Sequence, residues 1–544
     1  MSADYVSKSD YIFCYRYHPA WLWLKKHDPD KLPEIPKTLQ ERLESGKEFE
    51  PYAEAKFPNA VRIDAPFDRA AAETKKALES GATAILQGQF RAGELLCIAD
   101  VLLRNDDETV DLVEIKSSTK AKPEHEWDLA FQKILLERAG YPVKRCRVMH
   151  LNKEYIRQGE IDSGAVVAET DITEKVEKRL AKAEEQITDA VRVLHLDSCP
   201  DLSPKDVVSA LSKWREVYLK MHPELPETTI YRLPRLTPKL TAALEDAGIE
   251  RIEKIDLRDD SFKFNPNQTA CIQSLKDDQP VVNEKELGEF LDSVEYPLYF
   301  YDYETAAATL PLFDGMKPHG QVPIQYSLHI LHKDGRLEHK EFLHREASDP
   351  SDQLAQQLHD DVGEAGTAVA WHKGTEIGLN EKMAEQFPQH KEFLSCLTER
   401  TIDLMDPFDG MYADGHCFGS ASLKAVLPVM VPHLSYTNLD IGEGLFAQQE
   451  WIRVTVKASA NQAEREKVYK DLLTYCKLDT LAMVRIFQVL LHRCSATKKK
   501  HPSPPITNDV ELGEVWLITD DMSETEKQAI DKGVKAQISA VSGN

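Results

Sequence analysis

A chain of 544 residues is too long for one hydrophobic core and is expected to form two to four domains. Its 42% hydrophobic and 8% aromatic content is that of a folded soluble protein, and no apolar run approaches the ~18 residues of a membrane helix. The net charge of −24, from 67 basic and 91 acidic residues, weighs against a histone-like or coating protein. An enzyme needs only a local basic groove to meet a polyanion, so that class stays open.

The opening MSADYVSKSD places Asp4, Lys8 and Asp10 before any apolar stretch, which reads as no secretory segment, a cytoplasmic protein and no membrane partner. The nine cysteines are scattered and form no CxxC pair, which argues for reduced thiols and against a zinc ribbon. Residues 1–175 alternate strand-like and helix-like segments. Cys97–Leu103 and Val110–Lys116 are short β-type runs around a charged turn, Arg104–Glu108. Asp128–Gly140 reads as an amphipathic helix stopped by Gly140 and Pro142, and Cys146–Leu151 as a strand, together an α/β pattern. From Asp171–Thr173 a capped helix carries Val176, Leu180, Ile187, Val191 and Leu194 at helical spacing, and residues 176–285 are expected to be a helical connector. Within it, Leu244–Ile249 with Ile252 and Ile255 resembles half of a helix-hairpin-helix element, with a plain helix–turn packing unit as the simpler reading. A second α/β block, 286–495, opens with the aromatic strand Tyr296–Glu304 and closes with the helix Asp471–Leu491. Residues 496–544, containing HPSPP, are expected to form a polar, partly disordered tail.

The first chemical constellation is Asp100, at the end of an apolar run, and Glu114-Ile115-Lys116 on the next strand. The strand period of two puts Glu114 and Lys116 on one face and turns Ile115 to the core. Glu-x-Lys on a strand is commonly a solvated pair. Acids on consecutive strands point instead to phosphodiester hydrolysis, in which Asp100 and Glu114 hold a metal while Lys116 orients or deprotonates the water. With Gln132 on the following helix, the arrangement resembles the RecB-like branch of the PD-(D/E)XK nucleases. The resemblance implies that Gln132 supports the site and that an upstream acid completes it, for which Glu50 in Gly46–Glu50 is the match. Two positions depart from the branch. Leu136 stands where a Tyr is usual, and His18-Pro19 stands where members with an iron–sulfur cluster have Cys-Pro. Downstream only Cys199 is available for such a cluster, so none is expected.

The second constellation is Asp302 and Glu304, which share a strand face and can bind one metal or bridge two. Far downstream, Tyr475 and Asp479 lie one turn apart on a helix face. Each pair alone is common. Together and in this order they resemble the DEDDy class of DnaQ-like 3′–5′ exonucleases. The resemblance implies an RNase H-like fold, four carboxylates around two metals, and a tyrosine, here Tyr475, that orients the attacking water. The third carboxylate of that class stands in Asn-x-x-Phe-Asp. Here the segment is His372–Glu376, so Glu376 is the expected ligand, with Asp403 as the competing residue, read as structural.

From Ser7 to about residue 490 the chain resembles an uncharacterised bacterial family that joins a RecB-like nuclease domain to a DnaQ-like exonuclease domain. The phrases that carry this are Leu112–Ser118, Asp128–Gln132, Leu151–Tyr155, Asp302–Thr305, Pro323–Ser327, Ser422–Lys424 with Leu427-Pro428, and Tyr475–Thr480. The resemblance implies a multi-domain α/β protein that hydrolyses DNA with Mg²⁺ or Mn²⁺, in repair or in antiviral or mobile-element defence. Its expected partners are nucleic acid, DNA before RNA, and proteins of such a system. Two alternatives stay open: an exonuclease acting on RNA, and a single active exonuclease whose N-terminal domain is a nucleic-acid-binding platform. The oligomeric state is not legible.

Overall fold

The computed structural model describes residues 5–34, 46–207, 213–432, 434–436, 441 and 444–494, so the expected polar tail lies outside the described residues. The chain is mixed α/β with several sheets and divides into two compact units. The first comprises Met1–His222, Thr237–Thr241 and Ala307–Gly320, and the second Pro223–Leu236, Ala242–Ala306 and Gln321–Asn544. The division therefore runs through the stretch expected to be a separate connector. Among the described residues no helix is long and apolar enough to cross a membrane.

In the first unit, β1 (Val6–Ser7) leads into the helices α1 (Lys8–Arg16) and α2 (Pro19–His27). A capping box closes α1: the Ser7 side chain accepts from Asp10 N, and Asp10 accepts from Ser7 N. After the short helix α3 (Glu50–Glu54) come β2 (Val61–Arg62), β3 (Ala84–Ala92), β4 (Leu95–Arg104) and β5 (Val110–Lys116). The helix α4 (Pro123–Arg138) crosses to β6 (Val143–Leu151) and β7 (Val167–Asp171), and the helix α5 (Thr173–Leu194) follows. The sheet order is β2-β3-β4-β5-β6-β7, with β1 pairing parallel to β4. The strands sort their side chains to two faces by alternation, which shifts by one residue on β4 at Asp100, so that Ala99 and Leu102 share one face and Val101 takes the other. Ala99, Leu112 and Val148 pack with Phe131 and Leu135 of α4 and Ile187 of α5. Val101, Val113, Ile115 and Met149 pack with Phe49 and Ala53 on the other face.

The segment Ala307–Gly320 belongs to this first unit because Arg157 binds its main chain. Arg157 N donates to Met316 O at 3.0 Å, and Nη1 donates to Pro311 O at 2.9 Å and Leu312 O at 2.7 Å. Leu310 adds an apolar contact to the Val113 face.

In the second unit, Leu244, Ile252 and Ile255 are fully buried, and Ile252–Lys254 is a single 3-10 turn where a hairpin would need a second helix. A two-stranded ribbon joins β8 (Val281–Val282) to a strand near Tyr412. The main sheet is built from β9 (Leu298–Ala307), β10 (Gln321–Leu331), β11 (Leu337–Leu343), β12 (Thr367–Ala370) and β13 (Thr401–Asp403), in the order β11-β10-β9-β12-β13. The helix α6 (Gly374–Gln386) follows β12, while α7 (Leu423–Met430) and the long α8 (Gln462–Arg493) come after the sheet. Strand β9 shows the period of two plainly. Tyr299, Tyr301 and Tyr303 face Leu354, Leu379 and Leu394, whereas Leu298 and Phe300 face Leu478, Leu481 and Phe487 of α8. Asp302 and Glu304 continue the Leu298–Phe300 row, toward α8.

Candidate active sites

In the first unit the ladder between β4 and β5 ends at Val101↔Val113, and the next residues are Asp100 and Glu114. Where the ladder stops, Asp100 Oδ2 takes the Ile115 N–H at 2.8 Å, which substitutes a carboxylate for the missing strand partner. Glu114 is buried and fully engaged. Its Oε1 takes the ammonium groups of Lys8 at 2.5 Å and Lys116 at 2.8 Å, and its Oε2 takes Gln132 Nε2 at 2.6 Å. Lys116 also meets Asp128 Oδ2 at 3.0 Å. The Gln132 side chain is completely buried, and its Oε1 has no hydrogen-bond partner.

Burial raises the Glu114 pKa, but Lys116 and Lys8 outweigh it and hold the group well below the usual carboxylate range. Asp100 moves the other way, to about 7, from burial and then from the charge of Glu114. One acid is thus fixed as an anion and its neighbour poised near neutrality, a pattern concentrated at functional sites. Glu50, at the start of α3, is half-buried. Its pKa is raised by burial, then by Glu54, and weakly by Glu114, which places it at the margin of this group.

In the second unit four acids converge from three elements: Asp302 and Glu304 on β9, Glu376 on α6 and Asp479 on α8. Burial is the first cause of a raised pKa at each. Mutual repulsion adds to it at Asp302, from Asp479, Glu376 and Glu304, and at Glu304, from Asp479 and Glu376. Glu304 reaches about 8, Glu376 about 7 and Asp479 about 6. Glu376 Oε2 is buried without a hydrogen-bond partner. Tyr475, one helical turn before Asp479, is buried beside it. Ligand atoms of Asp302, Glu304 and Cys476 lie within 4.8 Å of one another.

Asp403, the competing acid, has both oxygens committed to the main chain. It accepts from His372 N at 2.8 Å, Lys373 N at 3.0 Å and Met405 N at 2.9 Å, and so pins the turn that starts α6. Its charge also adds to burial in raising the Glu376 pKa.

Several residues at the two sites had no role assigned from sequence: Lys8, Asp128, Lys424, Tyr436 and Cys476. The Tyr436 hydroxyl donates to Asp479 Oδ1, and the Lys424 ammonium lies 5.4 Å from the Tyr475 ring centre and 5.5 Å from that of Tyr436. The Cys476 thiol points at Asp302 O, 3.8 Å away, and at its Oδ2, 3.9 Å away. His18 stacks on Trp214 with centroids 4.8 Å apart, and Cys199 packs into the same apolar group.

Residues 299–422 match the model of a domain of unknown function, DUF2779. The match begins on β9 and includes Asp302, Glu304 and Glu376. It stops before Lys424, Tyr475 and Asp479, and of the first unit it takes in only Ala307–Gly320, not Asp100, Glu114 or Lys116. No curated protein matches the chain.

Proposed function

We propose that the protein is a divalent-metal-dependent nuclease with two active sites. The first unit is read as a RecB-like PD-(D/E)XK nuclease domain, and the second as a DnaQ-like DEDDy 3′–5′ exonuclease domain of RNase H-like fold. The observation that carries the reading is the convergence of Asp302, Glu304, Glu376 and Asp479. Four converging carboxylates with raised pKa values, three of them buried, are an unstable arrangement unless protons or a cation neutralise them.

The donors fit hard divalent ions. Carboxylate oxygens suit Mg²⁺ and Mn²⁺, and the orphaned Glu376 Oε2 is a free acceptor for one. Asp302, Glu304, Glu376 and Asp479 would hold the ions of the second site, and Asp100 and Glu114 that of the first. Bound there, the ions supply Lewis-acid neutralisation of charge on a phosphodiester. The Tyr475 hydroxyl would orient a water against the phosphorus. In the first unit Lys116 would position the water, while Gln132 keeps Glu114 in its rotamer.

The test is cleavage of end-labelled single- and double-stranded DNA and RNA by the whole chain. DNA should be cut with Mg²⁺ or Mn²⁺ and left intact in excess chelator. Full activity in chelator would overturn both site assignments, and cutting confined to RNA would overturn the choice of DNA.

A further inference from the structure

Glu114 Oε1 is shared by two ammonium groups, and the two are not equivalent. Lys116 has a second anchor in Asp128, which holds it on the strand's own side of the site. Lys8 comes from a different element, and its ion-pair partner is Glu114. Its backbone is tightly fixed: Ser7 caps α1, and β1 pairs with β4, the strand that carries Asp100. Only the side chain is left to move, and it is partly exposed, at 23%. Gln132 takes Oε2 and two ammonium groups crowd Oε1, so a divalent ion that took Oε1 would have to displace one of them. Lys116 keeps a second carboxylate, Asp128, in ion-pair contact, so Lys8 is the one that would leave. A displaced ammonium beside two metal-held carboxylates then needs an anionic partner, and in a nuclease that partner is the substrate phosphate.

We propose that Lys8 is the phosphate-binding cation of the N-terminal site. Its ammonium pairs with Glu114 here and would be free to meet a non-bridging oxygen of the scissile phosphate when Glu114 holds a metal. This rests on the nuclease reading of the first unit. It assigns a role to a residue far in sequence from the Asp100, Glu114 and Lys116 set.

The proposal makes metal affinity and activity move in opposite directions, which a merely structural lysine would not do. The test uses the full chain carrying D302N and D479N, so that remaining cutting comes from the first unit, with and without K8M. Mn²⁺ binding is measured without nucleic acid, and cutting of a DNA oligonucleotide is measured with saturating Mn²⁺. K8M should bind Mn²⁺ tighter by roughly fivefold or more, because a competing cation is gone. It should cut about 10²-fold more slowly, as for loss of one charge-stabilising donor. K8R should restore most of the cutting. K8Q, which keeps a hydrogen bond to Glu114 without the charge, replaces K8M if that variant does not fold, with the same expectations. Weaker Mn²⁺ binding together with slower cutting would overturn the proposal in favour of a supporting role. A parent that cuts, with neutral variants cutting as fast, would overturn the assignment of Lys8 alone. A parent with no Mn²⁺-dependent cutting would overturn the nuclease reading of this unit as well.

Discussion

Two acids on adjacent strands, Asp100 and Glu114, are driven in opposite directions by which cations reach them. Both are desolvated, yet Lys8 and Lys116 touch Glu114 and not Asp100. Removing Lys116 tests the balance. Lys116→Ala leaves both carboxylates to bind metal but deprives the water of its positioning cation. Cutting by the first site, followed in a chain silenced at the second, should fall by about 10²–10⁴-fold. Unchanged cutting would remove Lys116 from the catalytic set. At the second site the raised pKa values couple stability to pH. A carboxyl raised by folding gives stability that is fully present below its unfolded pKa, near ~4, and lost as pH rises through the folded value. For Asp479, Glu376 and Glu304 those folded values are about 6, 7 and 8. In chelator, the wild-type melting temperature should therefore fall relative to that of Glu304→Gln as pH rises from about 5 to about 8. Added Mg²⁺ should raise the wild-type melting temperature more at the upper end of that range, since metal and protons compete for the same oxygens. A difference independent of pH would mean that Glu304 is not held in a raised state.

The elements that deliver these groups are ordinary in themselves, and their register makes the site. Strand β9 presents Asp302 and Glu304 because its register against β12, Val369↔Phe300, keeps the Leu298–Phe300 row facing α8. The start of β12 depends on Gly366, whose φ is +100°. A Cβ built there would lie 2.2 Å from Pro297 O, a contact that only backbone movement relieves. Gly366→Ala combines that clash with a left-handed backbone and should cost about 1–3 kcal/mol or more of stability. The measurement is chemical denaturation, and a stability within error of wild type would show that the β9–β12 edge can give. Helix α8 is held to the sheet by polar contacts along its middle, on either side of Tyr475 and Asp479. Gln325 Nε2 donates to Leu472 O at 3.0 Å, and Thr480 Oγ1 lies 2.7 Å from Ser327 Oγ and 2.8 Å from His329 Nδ1. These fix the rotation of α8 that turns Tyr475, Cys476 and Asp479 toward β9.

At the scale of the whole molecule, the two carboxylate sets fall in separate compact units. Asp302→Asn should therefore abolish one activity and Lys116→Ala the other, with the double variant inactive on every substrate. Loss of all cutting with Asp302→Asn alone would make the first unit a binding platform, and loss of all cutting with Lys116→Ala alone would make the exonuclease fold a passenger. The second unit should also need a free 3′ end and release mononucleotides. An oligonucleotide blocked at its 3′ end but still trimmed from its 5′ end in a Lys116→Ala chain would contradict the exonuclease assignment.

Sequence alone carried whatever depends on spacing within one element. Glu114 with Lys116, Asp302 with Glu304, and Tyr475 with Asp479 were legible because strand and helix periods place them on shared faces without reference to anything else. The α/β character of both blocks was legible for the same reason. What the tertiary structure decided is every relation between elements. Lys8 reaches Glu114 only because β1 pairs with β4, and Lys424 and Tyr436 reach Asp479 and Tyr475 only because separate segments pack over α8. The main-chain donors that engage Asp403 at the start of α6 likewise come together only in the fold. The same holds for Ala307–Gly320, which lies in sequence between strands of the second unit yet is bound by Arg157 of the first. Local periodicity is written in the order of residues. Which distant group neutralises a buried charge is settled only when the chain has closed around it.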